Sequence, residues 1–253
     1  MCTLSFLPQK DAYFAAMNRD ERKDRAIAFP PSVHYSLGLS LVYPRESGGG
    51  TWIGGNSRGT LLAMLNWYGM ANRALGPKNK SRGEIIPMIL PEPNSESADR
   101  ALAQLNLAGF HPFRLFGFFP ADRQIHEWCW DTRHLVRKSH EWGRHHWFSS
   151  SRSDAQAEKE RGNACERTWR DDPATPADWL RQLHASHIPD PGPFSICVHR
   201  EDAATVSYTE VQFRRGELQM RYLSGNPCQA STRGLDAARQ GESSIVRIQA
   251  PMA

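Results

Sequence analysis

The 253-residue chain lacks most of the features that would assign it a class at once. No apolar run approaches the roughly 20 residues that a membrane-spanning helix needs. No charged and apolar leader opens the chain, so no export signal is read and a cytoplasmic location is expected. The formal net charge is only +4, from 31 basic and 27 acidic residues. The two signs are mixed, and no basic block or basic-aromatic array speaks for nucleic acid. No phosphate-binding glycine fingerprint is present; the glycines at 48–50 lead into a strand pattern, not a helix N-terminus. The nucleophile elbow GxSxG is absent, which removes the support for a Ser-His-Asp hydrolase. The five cysteines are odd in number and form no CxxC pair. Reduced thiols are therefore expected, not a disulfide framework or a haem-attachment motif.

What remains is an ordinary globular composition, 40% hydrophobic and 23% charged, with no linker or repeat and enough chain for a substantial core. Alternation and apolar runs predict a hairpin of residues 2–7 and 12–18, and a second of 51–56 and 60–67 joined near Ser57–Gly59. A short helix is expected from the Ser81 cap, limited by Pro87, and a longer one over 97–110 with Ser97 as its cap. Strands follow at 113–120, 125–131, 134–139 and 145–151, then helices at 153–169 and 175–187, the second with Thr175 as cap and Pro176 in its first turn. Three strands close the reading, at 194–199, 205–213 and 217–223, the last two joined through Arg214–Gly216. Residues from 231 on are small and polar and are expected to form a loose tail, leaving one domain over 1–230. This order suits a single α+β domain with sheets packed between helical layers.

The chemistry-bearing candidates begin at Cys2, directly behind Met1. One reading makes it a small buried strand residue, since free cysteine is often simply core. The other notes that trimming of Met1 would leave a thiol beside its own α-amine, whose ordinary pKa is about 7.7–8.0. Nucleophile and proton acceptor would then share one residue. The hairpin returns Asn18, Arg19 and Asp20 toward Cys2, where Arg19 would favour thiolate. Asn66, a polar residue ending an apolar strand, could donate to an oxyanion or could simply end the strand. Arg200 could bind a ligand carboxylate or phosphate, or sit in a surface turn. Metal sites look weak: His145 and His146 point to opposite faces of a strand, and His184 and His187 could meet on a helix but have no supporting motif.

Cys2, "NRDE" at 18–21, "GGTWIG" at 49–54, "SRG" at 57–59, "LNW" at 65–67 and "SRGE" at 81–84 together resemble the NRDE family. That family includes the transport and Golgi organisation protein 2 group. The resemblance implies kinship with N-terminal nucleophile hydrolases of the choloylglycine hydrolase and penicillin V acylase type. Those have a four-layer αββα fold and cleave amide bonds in acyl-amino compounds. It maps Cys2 to the nucleophile, Asp20 to the aspartate that holds the terminal amine, and Asn66 to an oxyanion-hole asparagine. Arg19 belongs to the family motif, and Asn18 would stand among the ligand-binding residues. Ser150 stands where those hydrolases carry a second asparagine. No cofactor is required on this reading. The family's link to haem trafficking and to lipid and acyl-CoA homeostasis implies a second expectation: a non-catalytic cleft that binds haem or an acyl-carrying ligand.

Overall fold

A computed structural model describes residues 2–70, 80–169, 176–188, 190–231 and 243–250. The strands are β1 Cys2–Pro8, β2 Ala12–Arg22, β3 Phe29–Ser36, β4 Leu39–Arg45, β5 Ile53–Asn56, β6 Leu61–Asn66, β7 Phe113–Phe119, β8 Gln124–Trp130, β9 Leu135–His140, β10 His145–Ser149, β11 Ala203–Arg214, β12 Glu217–Ser224 and β13 Ser243–Gln249. The helices are α1 Ile85–Ile89, α2 Ser95–Gln104, α3 Asp154–Thr168, α4 Pro176–His184 and α5 Pro227–Ser231. Six strands form one sheet in the order β10-β1-β2-β11-β12-β13, and seven form the other in the order β3 through β9. Every pairing in both ladders is antiparallel.

Three apolar clusters define the layers. The middle one joins the sheets, with Leu4, Phe6, Tyr13 and Met17 of one facing Ile53, Leu61, Phe116 and Phe118 of the other. A second cluster seats α1 and α2 on the seven-stranded sheet through Ile85, Ile86, Ile89, Ala98 and Leu102. The third seats α3 and α4 on the six-stranded sheet through Ala157, Ala164, Cys165, Leu180 and Leu183. The molecule is therefore a four-layer αββα sandwich. Its central strands have both faces covered, so β1 is buried along its length except at Pro8, its polar Thr3 and Ser5 included. Each fully buried Leu or Phe of these layers stabilises the fold by about 1.5–3 kcal/mol.

Turns carry their own chemistry. Arg215 and Gly216, with φ of 52° and 78°, make the tight β11–β12 connection, the positive φ at both positions being that of a type I′ hairpin turn. The β2–β11 ladder runs in register on both sides of one irregularity: Asp20 pairs with Thr205 and Arg19 with Ser207, so Val206 is an extra residue, a bulge. The Val206 carbonyl accepts from Gly225 N–H at 2.8 Å.

Several expectations are corrected. Residues 194–199 form no strand; apart from a lone bridge of His199 to Ala204, they run as bends. The segment is tied by side-chain bonds, as when Thr205 Oγ1 accepts from Val198 N–H at 2.8 Å. The region past 231 is not simply a tail, because β13 pairs with β12 from Ser243 to Gln249 and belongs to the sheet. The N-cap of α2 is Asn94, whose side chain accepts from Ser97 N–H at 2.9 Å; Ser97 lies inside the first turn. The Thr175 cap falls outside the described residues. Strands β3 and β4 were not anticipated: Pro30 and Pro31 in β3 argue against a strand, and are tolerated because β3 lies at the sheet edge. No helix among the described residues is long and apolar enough to cross a membrane.

Candidate active site

Strand register builds the site. Cys2 lies opposite Arg19 on β2 and opposite Ser149 on β10. It opens into a cleft of about 280 Å³ at the end of the sandwich, lined also by Arg19, Asp20, Glu46, Trp52, Asn66, Arg82 and His111. Two stretches that carry the family resemblance thus supply walls: Thr51 and Trp52 from one, Ser81, Arg82 and Gly83 from the other. They can touch because both contact points are glycine. A Cβ on Gly83 would come within 2.9 Å of Thr51 N, and one on Gly50 within 3.1 Å of Gly83. Their approach is closed by Thr51 N–H donating to Gly83 O at 3.0 Å.

Asp20 is buried. Its Oδ1 accepts from the Thr205 hydroxyl at 2.6 Å, and its Oδ2 lies 3.6 Å from the Arg161 guanidinium. Burial raises its pKa above the usual carboxylate range, against the pull of Arg161 and Thr205. Arg161 is itself wholly buried and donates to the carbonyls of Cys2, Pro193 and Ser149 and to the Thr3 hydroxyl, at 3.0–3.5 Å. Cys2 is 8% exposed. Burial pushes its thiol above the ordinary value and outweighs the lowering by a main-chain hydrogen bond from Asp20 and by the Arg19 charge. The expected thiolate-favouring effect of Arg19 is thus present, but it does not win. That guanidinium is drawn instead to Glu46 at 2.6 Å and Glu21 at 3.2 Å, over the Trp52 ring at 4.6 Å. Asn66 donates one amide hydrogen to Tyr68 OH at 2.8 Å; its amide carries a second.

Cys2, Arg19, Asp20 and Asn66 therefore share one cleft. Asn18, Ser150 and Arg200 do not line it, which corrects their expected ligand-binding place. Asn18 shares a face of β2 with Asp20 but lies deeper along the strand, where its amide donates to His184 O at 2.8 Å and Ile196 O at 3.0 Å. Ser150 sits in the turn after β10, its N–H donating to Asp154 Oδ1 at 2.8 Å and its hydroxyl accepting from Arg152 N–H at 3.3 Å. Arg200 pairs with Asp202 at 2.6 Å and reaches the Ser151 hydroxyl at 3.1 Å. His184 and His187 do not meet: His184 Nε2 bonds the Ser5 hydroxyl at 2.9 Å, and His187 bonds His199.

Three cations escaped the sequence reading. Arg161 lies on the helix read as a charged surface helix, yet its neighbours at helical spacing, Ala157, Ala164 and Cys165, are all buried, and that stripe was the available signal. Arg82 lies 3.1 Å from Pro112 O. Lys80 donates to Asn106 O at 3.4 Å. Among the described residues neither cation has a carboxylate within ion-pair distance. The cleft's far wall is thus positive, whereas its near wall neutralises itself through Arg19, Arg25, Glu21 and Glu46.

Two facing antiparallel sheets between helical layers, with a cysteine on the first strand opening into an end cleft, define the fold of the N-terminal nucleophile hydrolases. A penicillin V acylase from Agrobacterium tumefaciens shares it, with a TM-score of 0.54 at 12% identity over 88% of this chain and 83% of that one. A C2A mutant of a conjugated bile acid hydrolase from Clostridium perfringens aligns with a TM-score of 0.48 at 12% identity, over 99% of this chain and 97% of that one. No curated protein matches the chain. The model of the Transport and Golgi organisation 2 family matches residues 1–164, and the chain belongs to that family.

Proposed function

We propose that the protein is an N-terminal cysteine amidohydrolase or acyl transferase acting on an acyl-amide with an anionic group. The observation that carries this reading is the convergence of Cys2, Asp20 and Asn66 on one cleft. While Met1 remains, the Cys2 nitrogen is an amide and cannot serve as the base; removal of Met1 supplies the α-amine. The amine then takes the thiol proton as Sγ attacks the carbonyl carbon. The carbonyl electron pair moves to oxygen, where the second Asn66 amide hydrogen meets it. The amine returns the proton to the leaving nitrogen as the C–N bond breaks, leaving a thioester on Cys2. Water, or an acceptor amine, releases the acyl group by the same proton path. Asp20 fixes the amine's direction, and an ammonium beside it would pull its raised pKa back down. Arg82 and Lys80 give an anionic substrate group its counter-charge.

Intact mass spectrometry tests the first requirement, and retained Met1 sinks the enzymatic reading. Single-turnover kinetics on a panel of acyl-amides and thioesters tests the second. Asn66→Ala is expected to lower kcat by on the order of 10²–10³ and to change affinity for an uncleaved ligand little. Equal losses in turnover and affinity would instead make Asn66 a plain binding residue.

A second reading keeps the cleft and drops the chemistry: a binding or trafficking site for an acyl-CoA or haem ligand, whose phosphates or propionates would meet Arg82 and Lys80. The raised Cys2 thiol favours it, since a protonated thiol is a poor nucleophile. Stoichiometric haem or acyl-CoA binding that persists in Cys2→Ala, with no hydrolysis by the parent protein, would select this reading.

A further inference from the structure

We infer that His187, Cys197, His199 and Cys228 form a tetrahedral site for a single zinc-type divalent ion. The four potential ligand atoms all lie within 4.8 Å of one another. The two imidazole Nε2 atoms face each other at 3.0 Å. Around His199 Nε2, the sulfur of Cys197 stands at 3.6 Å and that of Cys228 at 3.4 Å. A tetrahedral ion with metal–sulfur bonds of about 2.3 Å and metal–nitrogen bonds of about 2.0–2.1 Å demands N···N near 3.3 Å and N···S near 3.5 Å. The three separations from His199 Nε2 fall within about 0.3 Å of those values, and the other three are under 4.8 Å. Two thiolates and two imidazoles are also the donor set that selects zinc over the hard cations.

A disulfide, an iron–sulfur centre and a haem each fit the cluster less well. A disulfide would use the cysteines alone and leave both histidines turned inward without cause; no disulfide joins any of the five cysteines. An iron–sulfur centre with two histidines places them on one iron and the cysteines on the other. That would hold the imidazoles farther from the thiolates than 3.4–3.6 Å. A haem needs one or two axial ligands and a flat space between them, and four converging donors leave none.

The location says what the ion would do. His187 follows α4, Cys197 and His199 belong to the bends that replaced an expected strand, and Cys228 lies on α5. Few ladder bonds hold that segment, so an ion joining three chain sections would supply what the sheet does not. The segment also touches the candidate active site from behind. Val198, between two of the ligands, donates its N–H to Thr205 Oγ1 at 2.8 Å, and the same hydroxyl donates to Asp20 at 2.6 Å. With a donor already on the oxygen, the hydroxyl proton is directed at the carboxylate. The ion thus positions Asp20 through two hydrogen bonds. The site stands whether or not Cys2 is catalytic, and it lies beyond the residues 1–164 that the family match covers.

The test is metal content of the full chain, purified without chelator. About one zinc per chain is expected. Cys197→Ser and Cys228→Ser should each weaken zinc binding by roughly tenfold or more, while His187→Cys, which keeps a soft donor, and Cys129→Ser, elsewhere in the fold, should retain it. Cobalt(II) titrated into the metal-stripped parent protein should give the intense visible bands and thiolate charge-transfer of a tetrahedral site. That measurement needs no variant to fold. The inference is overturned by a parent protein that neither carries zinc nor gives the tetrahedral cobalt spectrum. It is equally overturned by unchanged zinc affinity in both serine variants, by iron with acid-labile sulfide, or by a Cys197–Cys228 disulfide in freshly purified protein.

Discussion

Two buried carboxylates at different places in the sandwich meet opposite fates. Glu127 on β8 is 2% exposed and is bonded by Arg114 at 2.6 Å, by His140 at 2.9 Å and by the Cys129 thiol at 3.3 Å. Burial alone would raise its pKa, but the His140 bond and the Arg114 charge overcome burial and pull it to about 2. Asp20 is equally buried, holds the Thr205 hydroxyl, and has its arginine at 3.6 Å. There burial wins and the pKa rises. The difference lies in where each arginine spends its hydrogen bonds. Arg114 gives its Nε to the carboxylate, whereas Arg161 gives its guanidinium to three carbonyls and a hydroxyl. A carboxylate braced on every side serves the fold, and one held in a raised, responsive state suits a site where charge must change.

The largest effect should come from removing the buried cation. Arg161→Leu is expected to cost about 3–5 kcal/mol at pH 7, because it strands three carbonyls and Asp20 without their donor. Urea unfolding checks this. The loss should shrink in acid, where Asp20 is neutral, and a loss below about 1 kcal/mol would break the contrast.

Next in size is Glu127→Gln, at on the order of 2–3 kcal/mol near neutral pH. A depressed carboxylate stabilises the fold above its ordinary value near 4.5 and loses that contribution as pH falls toward 2. The variant should therefore unfold with a flatter acid limb, and the two proteins should converge near pH 2. Parallel acid limbs would mean that Glu127 is not the group responsible.

Asp20→Asn should matter least to stability, about 1 kcal/mol, since the amide oxygen can still accept from Thr205 and Arg161 keeps its carbonyls. A raised carboxylate contributes stability when protonated and loses it as pH rises through the folded pKa, so the asparagine variant gives up little at pH 7. Acyl-amide turnover per folded molecule should nevertheless collapse. Several kcal/mol of lost stability with unchanged turnover would make Asp20 a structural residue like Glu127.

What could be read from the residues follows the same physical division. The β1–β2 and β5–β6 hairpins announced themselves because apolar runs were bracketed by polar turns, and with them came the meeting of Cys2, Arg19 and Asp20. Asn18 misled because "NRDE" does not say how far along the strand the cleft begins: Arg19 and Asp20 reach it from opposite faces, and Asn18, one step deeper, is held by His184 O and Ile196 O. Arg161 was hidden by its type, since an arginine among Glu158, Lys159, Glu160 and Glu166 looks solvated until its partners far along the chain are known. The four residues of the Cys/His cluster stand at spacings that match no local motif, and only the packing of α5 against α4 and β11 brings Cys228 to the others.

The bulge at Val206 gives the chain an uneven tolerance for changes of length. Deleting Val206 would leave Thr205 opposite Asp20 and Ser207 opposite Arg19 as consecutive, regular pairs, so the sheet itself could spare the residue. The carbonyl that Gly225 N–H uses would go with it, and Gly225 begins the short path to Cys228. A one-residue shortening could therefore pass unnoticed in the ladder and still shift the fourth member of the cluster. In natural sequence variation, this position should admit many side chains and few gaps.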